Sequence, residues 1–483
     1  TYDDEKNNIV NYNEFNFKAT YNKEEILSIS SEKIKTLLET WETNKKFYRL
    51  INRNSLYHDK LPFIIDLSIV RESKLKDSEN FIESKILNYN YKYEVEIEID
   101  NARIKEFDKI DADIIDKLLK QVIKYILIGL QDTNYPISYL EQNNILLSYL
   151  SLVKNKKIEV YKTVNTSDFI GPSSSTLQLI NIVDEEINDE LVNIRNDYTV
   201  TDKADGERKL LYIANNGKIY LITTSLDIQF TGAETRKKEL YNSLLDGEHI
   251  LYNKSGNYIN LYASFDIYFI NKKDVRSNKF VEISDDTDTV SRLDMLSEFI
   301  ENLEAVFVNT NNISPLKITN KEFQISSKKQ NIFIACKKVL ESIYEYETDG
   351  VIFTPQNLGV GLNTNTDKVK DYKVNWKYSL KWKPANFNTI DFLITIKKND
   401  AGSDLVGNKI KLGLDTKTLN QIEQYKTLIL RVGYDETKHG FINPCQNIID
   451  DNFINYDSLE DNQRYKPVQF FPSNPYDKDA GIC

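Results

Sequence analysis

The chain has 483 residues, 40% of them hydrophobic and 28% charged; this suits a soluble globular protein and is too long for one ordinary core, so two to four domains are expected. Its net charge of −11 argues against a general duplex binder, which would carry a basic surface, but not against a local lysine cluster that grips one nucleic-acid end. Three widely spaced cysteines (Cys336, Cys445, Cys483) read as reduced thiols of a cytosolic protein; no run reaches the length of a membrane span, and no signal peptide is visible.

In chain order, residues 12–18 alternate polar and apolar and predict a strand. Residues 23–41 have helical spacing, and 61–71 read as another strand. The run 93–99 has a period of two, so Glu94, Glu96 and Glu98 share one face while Val95, Ile97 and Ile99 share the other. Three carboxylates about 7 Å apart along a strand repel one another, which is tolerable in water or around a hard cation. Taken alone, the two readings weigh about evenly. Residues 109–130 and 139–152 have helical spacing, and 164–175, with Gly171-Pro172 and a serine run, read as a bridge between domains.

Thr201-Asp202-Lys203-Ala204-Asp205-Gly206-Glu207-Arg208 lies between two β-like runs, 197–200 and 209–213. Along a strand and into a turn, this spacing brings an amine, a carboxylate and a guanidinium near one point. Gly206 allows a sharp turn and close backbone approach. Such a set suits a lysine nucleophile attacking a nucleotide α-phosphate, with the arginine on sugar or phosphate. An ordinary charged hairpin explains an isolated K-x-D-G-x-R about as often.

Further along, 244–248 (Leu-Leu-Asp-Gly-Glu) places a carboxylate at the end of an apolar run, and 265–269 reads as a buried strand. Helices are predicted near 291–306 and 333–346; Lys328, Lys329, Lys337 and Lys338 are each read as solvated, with a guanine contact by one of them as the alternative. A second Asp-Gly, at 349–350, leads into a strand. Residues 379–384 set Lys381 and Lys383 on one face of another, followed by Thr389-Ile390-Asp391-Phe392. From about 387, short strands (389–397, 409–414, 427–432) and polar loops suit a small β-barrel. His58, His249 and His439 lie too far apart to predict a histidine triad or zinc centre and are read as surface or packing residues.

Together and in this order, the motifs resemble the covalent nucleotidyltransferase superfamily of mRNA guanylyltransferases and ATP- or NAD-dependent ligases. The wording at 349–355 (Asp-Gly-Val-Ile-Phe-Thr-Pro), 381–384 (Lys-Trp-Lys-Pro) and 389–392 is similar to the capping enzymes of large DNA viruses of the poxvirus, asfarvirus and mimivirus type. The resemblance implies an α+β chain in three parts. Residues 1–164 would be an RNA-triphosphatase-like tunnel β domain. Residues 165–386 would be a guanylyltransferase domain, a nucleotidyltransferase of the ATP-grasp-like ligase/guanylyltransferase kind. Residues 387–483 would be an OB-fold barrel and the start of a linker to a methyltransferase domain. Threonine at position 1 and a single methionine, Met295, lead us to expect a native start further upstream.

The resemblance also implies roles. Lys203 forms a phosphoramidate with GMP, Arg208 and Glu248 hold the ribose, and Phe265 stacks on guanine. Asp349 positions metal or the amine, Lys381 and Lys383 grip phosphates, and Asp391 supports the lid, for which Arg464 and Lys466 are candidates. A lysine amine has a pKa of about 10.4 and is protonated at neutral pH, so neighbouring cations are needed to favour its nucleophilic form. In the first domain, Glu94, Glu96 and Glu98 resemble the last glutamate strand of metal-dependent RNA triphosphatases. Glu14 would lie on the first metal strand, and Arg71 and Lys74 would bind phosphate. Asn16 stands where a second glutamate is expected; an amide is a poorer ligand for Mg²⁺ or Mn²⁺, so weakened metal binding and low γ-phosphate release are expected. The implied cofactor is Mg²⁺ or Mn²⁺ and the substrate GTP. The implied partners are the 5′ end of nascent RNA and a viral RNA polymerase, a methyltransferase domain or a regulatory subunit, without a membrane. The implied location is cytoplasmic, in a viral factory or virion. Two rivals stand beside this reading: an RNA or DNA ligase, labelled by ATP instead of GTP, and a non-catalytic polymerase-associated module, labelled by neither.

Overall fold

The computed structural model describes residues 9–21, 27–73, 78, 80–105, 111–160, 163, 165–183, 192–282, 290–327, 330–384, 387, 393–411, 421–432 and 468–469. They fall into two units, Thr1–Trp382 and Lys383–Cys483.

The first unit opens with a hairpin, β1 (Ile9–Tyr12) and β2 (Phe17–Thr20), joined by a 3₁₀ turn at Asn13–Phe15. The strand predicted over 12–18 is therefore broken. Asn16 adopts a left-handed φ of 54°, which asparagine tolerates better than most residues, and Tyr12 stacks on Phe17 across the hairpin. Helix α1 (Glu32–Glu39), capped by the Ser31 hydroxyl, is shorter than the helix predicted over 23–41. Next come β3 (Arg49–Tyr57), β4 (Phe63–Glu72) and β5 (Lys92–Ile99), an antiparallel sheet in that order. Its register places Arg49, Arg53, Asp66, Ser68 and the three glutamates of β5 on one face. That face of β4 is buried at Asp66, Ser68 and Val70, while Leu67 and Ile69 on the other are exposed.

Three helices follow: α2 (Asn101–Ile104), α3 (Ala112–Gln131) and α4 (Tyr139–Val153). Asp111 and Ser138 accept the free amides at the starts of the two longer ones, a standard N-cap.

Beyond β6 (Ser173–Thr176), the strands alternate between two sheets. β7 (Tyr198–Ala204) belongs to the first. β8 (Glu207–Ile213), β9 (Lys218–Thr223), β10 (Ile228–Glu234), β11 (Ser243–Tyr252), β12 (Tyr258–Ile270) and β13 (Lys273–Asp274) belong to the second. After α5 (Arg292–Glu301), β14 (Val306–Phe307) and β15 (Lys317–Asn320) complete this eight-stranded sheet, in the order β13-β12-β11-β8-β9-β10-β14 with β15 beside β12. β16 (Gln324–Ile325), α6 (Ile332–Glu341), β17 (Thr348–Pro355) and β18 (Asn375–Trp382) finish the five-stranded sheet β16-β7-β17-β18-β6.

Both faces of the larger sheet are buried. Leu210 and Tyr212 of β8 pack with Ile145, Tyr149, Leu150 and Val153 of α4, whereas Leu211 and Ile213 pack with Leu296 and Phe299 of α5. A core therefore crosses residue 164 and makes α4 a layer over the strands. α6 covers one face of the smaller sheet through Ile332, Ala335 and Val339 against Val200, Val351, Phe353 and Leu380.

In the second unit, β19 (Leu393–Ile396), β20 (Val406–Lys411), β21 (Gln421–Lys426), β22 (Leu428–Val432) and β23 (Val468–Gln469) form a three-stranded sheet, β19-β22-β23, and the pair β20-β21. The chain is thus mixed α and β. Among the described residues, no helix is long and apolar enough to cross a membrane.

Candidate active site

The two sheets are joined in sequence at Asp205-Gly206, between β7 and β8, so the 201–208 motif spans both. The Asp205 amide donates to the Glu347 carbonyl, fixing the turn. Gly206 packs so closely on β11 that a Cβ there would lie 2.8 Å from Glu248 Cγ and from the His249 carbonyl oxygen. Close packing against β11 is the reason for glycine at this position.

Lys203 is the penultimate residue of β7, and its Nζ lies 2.8 Å from Asp349 Oδ1 and 3.0 Å from Oδ2. Asp349 is supplied by β17, the antiparallel neighbour of β7. In the row above, Lys381, Ile352 and Thr201 are paired across β18, β17 and β7. Lys203 follows Thr201 by two residues, so Lys203 and Lys381 project from one face of the sheet. Lys381 has no ion-pair partner among the described residues.

From the other sheet, Arg208 grips the fully buried Asp246 with two nitrogens, Nε at 3.0 Å and an Nη at 2.5 Å. Its other Nη donates to the Pro172 carbonyl at 2.6 Å, and the rings of Phe169 and Phe265 flank the guanidinium at 5.7 and 5.6 Å. Tyr268 also donates to Asp246. Phe265 is the extra residue where β12 slips against β11, between the pairs Asp246–Asp266 and Gly247–Ser264; a bulge of this kind re-aims a side chain out of the regular ladder. Glu248 sits opposite Arg208 across β11 and β8. Burial pushes its carboxyl up to about 7, against the opposing pull of Lys321, Arg208 and Lys203.

Lys203, Arg208, Glu248, Phe265, Asp349 and Lys381 are thus placed around the meeting of the two sheets. Asp391 and Lys74 lie outside the described residues, as do Lys328, Lys329, Arg464 and Lys466, and Lys383 is the first residue of the second unit. Two neighbours, Lys321 and Tyr346, escaped the sequence reading. Lys321 is buried, with its Nζ 2.8 Å from the Asp202 carbonyl and 3.0 Å from Asp202 Oδ2, and Tyr346 donates to the same carboxylate. Asp246 was visible as an acid ending an apolar run, a place where burial demands a partner, but nothing in sequence spacing links Lys321 to Asp202. His249, read as a surface or packing residue, is buried between Lys209 Nζ (3.0 Å) and Asn260 (2.8 Å); burial and Lys209 hold its pKa down.

The amino-terminal sheet departs from expectation. Glu14 is exposed on the β1–β2 turn and is not a member of the acidic group that gathers here, which is Asp66, Glu96 and Glu98, with ligand oxygens within 4.8 Å of one another. Glu94 instead pairs with Arg49 at 2.7 Å. Arg71 is on the opposite face of β4, because the pleat alternates; it donates to the Leu87 carbonyl and stacks on Tyr91. Arg49 and Arg53 take the place over the glutamates. The carboxylate oxygens have the hardness that Mg²⁺ or Mn²⁺ prefers, though Arg53 already pairs with both Asp66 and Glu96.

A lysine paired with an acid on one sheet, facing an arginine, a glutamate and an aromatic from a second, is the arrangement of a nucleotidyltransferase-type catalytic domain. Residues 154–384 match the family model described as "mRNA capping enzyme, catalytic domain". The chain is similar to the "Probable mRNA-capping enzyme" of Acanthamoeba polyphaga mimivirus, 26% identical over 62% of this chain and 26% of that protein. It is also similar to the mRNA-capping enzymes of Danio rerio and Mus musculus, each 24% identical, over 49% and 51% of this chain and 38% and 40% of theirs. Residues 154–384 are thus similar to the catalytic domain of mRNA capping enzymes, and one of the relatives is from a large DNA virus. The chain spans about a quarter to two fifths of the length of these relatives.

Proposed function

We propose that this chain is an mRNA guanylyltransferase of the large-DNA-virus kind, working through a lysyl-GMP intermediate on Lys203. The observation that carries the reading is the Lys203–Asp349 pair facing Arg208, Glu248 and Phe265, with Lys381 on the same sheet face. In the first step, Lys203 Nζ bonds to the α-phosphorus of GTP as the bond to pyrophosphate breaks. The proton leaving the amine has Asp349 as its nearest acceptor. Lys381, beside the site and without an acidic partner among the described residues, is free to neutralise phosphate charge; Lys383 shares this role by sequence. Arg208 is pre-oriented by Asp246 and Pro172, so it and Glu248 meet the ribose without reorganising, while Phe265 offers guanine an aromatic face. In the second step, the terminal phosphate oxygen of diphosphate-ended RNA attacks the same phosphorus, the N–P bond breaks, and the amine recovers its proton.

The reading extends to three parts: a triphosphatase-like region over 1–164, the guanylyltransferase over 165–386, and an OB-fold barrel with the start of a linker over 387–483, where Asp391 supports the lid. In the first, Asp66, Glu96 and Glu98 would hold Mg²⁺ or Mn²⁺, which would supply Lewis acidity to a γ-phosphate, and Arg49 and Arg53 stand where phosphate charge needs an arginine. The partners are nascent RNA ends and a viral polymerase, methyltransferase or regulatory subunit, in a cytoplasmic viral factory or virion. The test is incubation of the chain with α-labelled GTP or ATP and a divalent metal. A covalent label from GTP is expected; label from ATP alone makes the chain a ligase, and none from either makes it a binding module.

A further inference from the structure

α4 does more than cover the strands. Tyr149, on its buried side, is fully enclosed, and its hydroxyl donates to the Asp168 carbonyl at 2.7 Å and accepts from the Ile170 amide at 3.4 Å. One hydroxyl thus fixes both ends of a three-residue backbone turn that no sheet ladder holds. Lys154, just past the helix, secures the same turn through the Asp168 carboxylate at 2.8 Å. The turn runs directly into Phe169, Gly171 and Pro172, which form one wall around Arg208: a ring face, a backbone approach and a carbonyl acceptor. The fit is tight, since a Cβ on Gly171 would come within 2.5 Å of the Arg208 guanidinium. Asp246 holds the guanidinium from the strand side. The direction in which Arg208 points is therefore set half by β11 and half by a segment that α4 holds in place.

We propose that Tyr149 is a positioning residue for nucleotide capture, acting through the 168–172 segment on Arg208, so that α4 is a working part of the transferase site. This rests on the guanylyltransferase reading. Arg208 can present its remaining surface to a ribose only when the Pro172 carbonyl and Phe169 ring fix its rotamer. Loosening the segment spreads the guanidinium over several orientations and weakens capture of the nucleotide more than the bond-making step.

The test uses the full chain and two hydroxyl deletions one residue apart. Tyr149→Phe keeps the ring and removes only the two hydrogen bonds. Ser148→Ala removes a hydroxyl of the same helix whose partner is Tyr212, at 2.7 Å, instead of the 168–172 segment. Lysyl-GMP formation is followed with labelled GTP, and Tm is measured alongside. We expect Tyr149→Phe to raise KM for GTP about tenfold with its maximal rate within about twofold, and Ser148→Ala to lower Tm while leaving KM unchanged. An unchanged KM in Tyr149→Phe, or equal KM shifts in both variants, overturns the proposal. If Tyr149→Phe does not fold, Lys154→Ala loosens the same turn from its solvent side and must raise KM in the same way. Failure of the underlying reading shows separately, as absence of GTP label in the wild type. The same three proteins are then compared by binding of fluorescent GTP and ATP analogues, and equal affinities, or no binding, overturn the proposal as well.

Discussion

The cleft between the two central sheets and the polar face of β3–β5 are built from the same side chains, yet they do different things with charge. In the cleft, each acid has a designated cation: Asp349 has Lys203, Asp246 has Arg208, and Asp202 has Lys321. Glu248 and Lys381 are left over, one a buried acid with a raised pKa and the other a lysine with no acidic partner among the described residues. On β3–β5, arginines bridge neighbouring acids in pairs, Arg49 between Glu72 and Glu94 and Arg53 between Asp66 and Glu96, and Glu98 is left over. The cleft keeps one lysine uncommitted and one acid able to hold its proton, which leaves positive charge to meet a phosphate. The sheet cancels most of its charge across strands. A row of glutamates at period two therefore does not define a metal site until the facing strand is known.

The comparison is broken most decisively at Lys203. Lys203→Ala should abolish covalent labelling by GTP, a loss of about 10³-fold or more, with circular dichroism and Tm close to wild type because the side chain is part-exposed. Asp246→Ala should act on stability instead. It leaves Arg208 without the buried carboxylate that its guanidinium faces, and breaking a buried pair from one side costs about 3–5 kcal/mol. Urea unfolding reads this directly, and a loss below about 1 kcal/mol would mean that Arg208 finds another acceptor.

The site was more legible in the sequence than the amino-terminal region was. The motifs at 201–208, 244–248 and 349–353 each carry an Asp-Gly inside or beside an apolar β run, and short strand-to-turn motifs keep their meaning because the pleat dictates which side chains share a face. That logic works within each motif; it was the resemblance to a family, not spacing, that implied Lys203, Asp349 and Lys381 work together. Spacing could not place Lys321, whose partner Asp202 is far away in sequence and reached only through the path of β15 beside β12. Near the amino terminus, alternation over 12–18 pointed to one strand, but a turn with Asn16 at positive φ makes it two. The alternation rule correctly grouped Glu94, Glu96 and Glu98. Because no spacing argument gives the register of β4 against β5, Arg71 was assigned to their face when the pleat turns it away and the facing strand β3 supplies Arg49 and Arg53. The helical runs at 109–130 and 139–152 were readable as helices; that the second is a layer over the larger sheet depends on tertiary packing, which periodicity does not encode.

Arg53→Ala sharpens the contrast from the other side. It leaves Asp66, which is nearly buried, and Glu96 facing each other without their shared cation, and should cost on the order of 1–2 kcal/mol, discounted because Arg53 is itself about a third exposed. GTP labelling should stay within about twofold of wild type. A larger loss of labelling would show that the sheet supports the cleft, and the two regions would have to be treated as one.

The smallest effect separates the regions by the sign of their pH response. Glu248 holds its proton up to about 7 in the folded chain, chiefly because of burial, whereas in the unfolded chain it ionises near the ordinary 4.5. Between those values the folded state binds more protons than the unfolded, so Glu248's contribution to stability is largest below about 4.5 and declines as pH rises towards 7, then levels off. On β3–β5, Glu72 has the opposite sense. Its hydrogen bond from Lys92, and then the charges of Lys92 and Arg49, hold its carboxyl below the ordinary value in spite of partial desolvation. Its contribution is present above about 4.5 and is lost as pH falls through the lowered value. Urea unfolding of wild type and Glu248→Gln between about pH 5 and 8 isolates the first slope, because glutamine keeps the shape and cannot ionise. The wild type should lose stability relative to the variant from pH 5 to 7 and then run parallel to it. Parallel curves throughout would mean that Lys321, Arg208 and Lys203 outweigh burial and keep Glu248 ionised, which would make the cleft, like the sheet, a set of charges already cancelled before any nucleotide arrives.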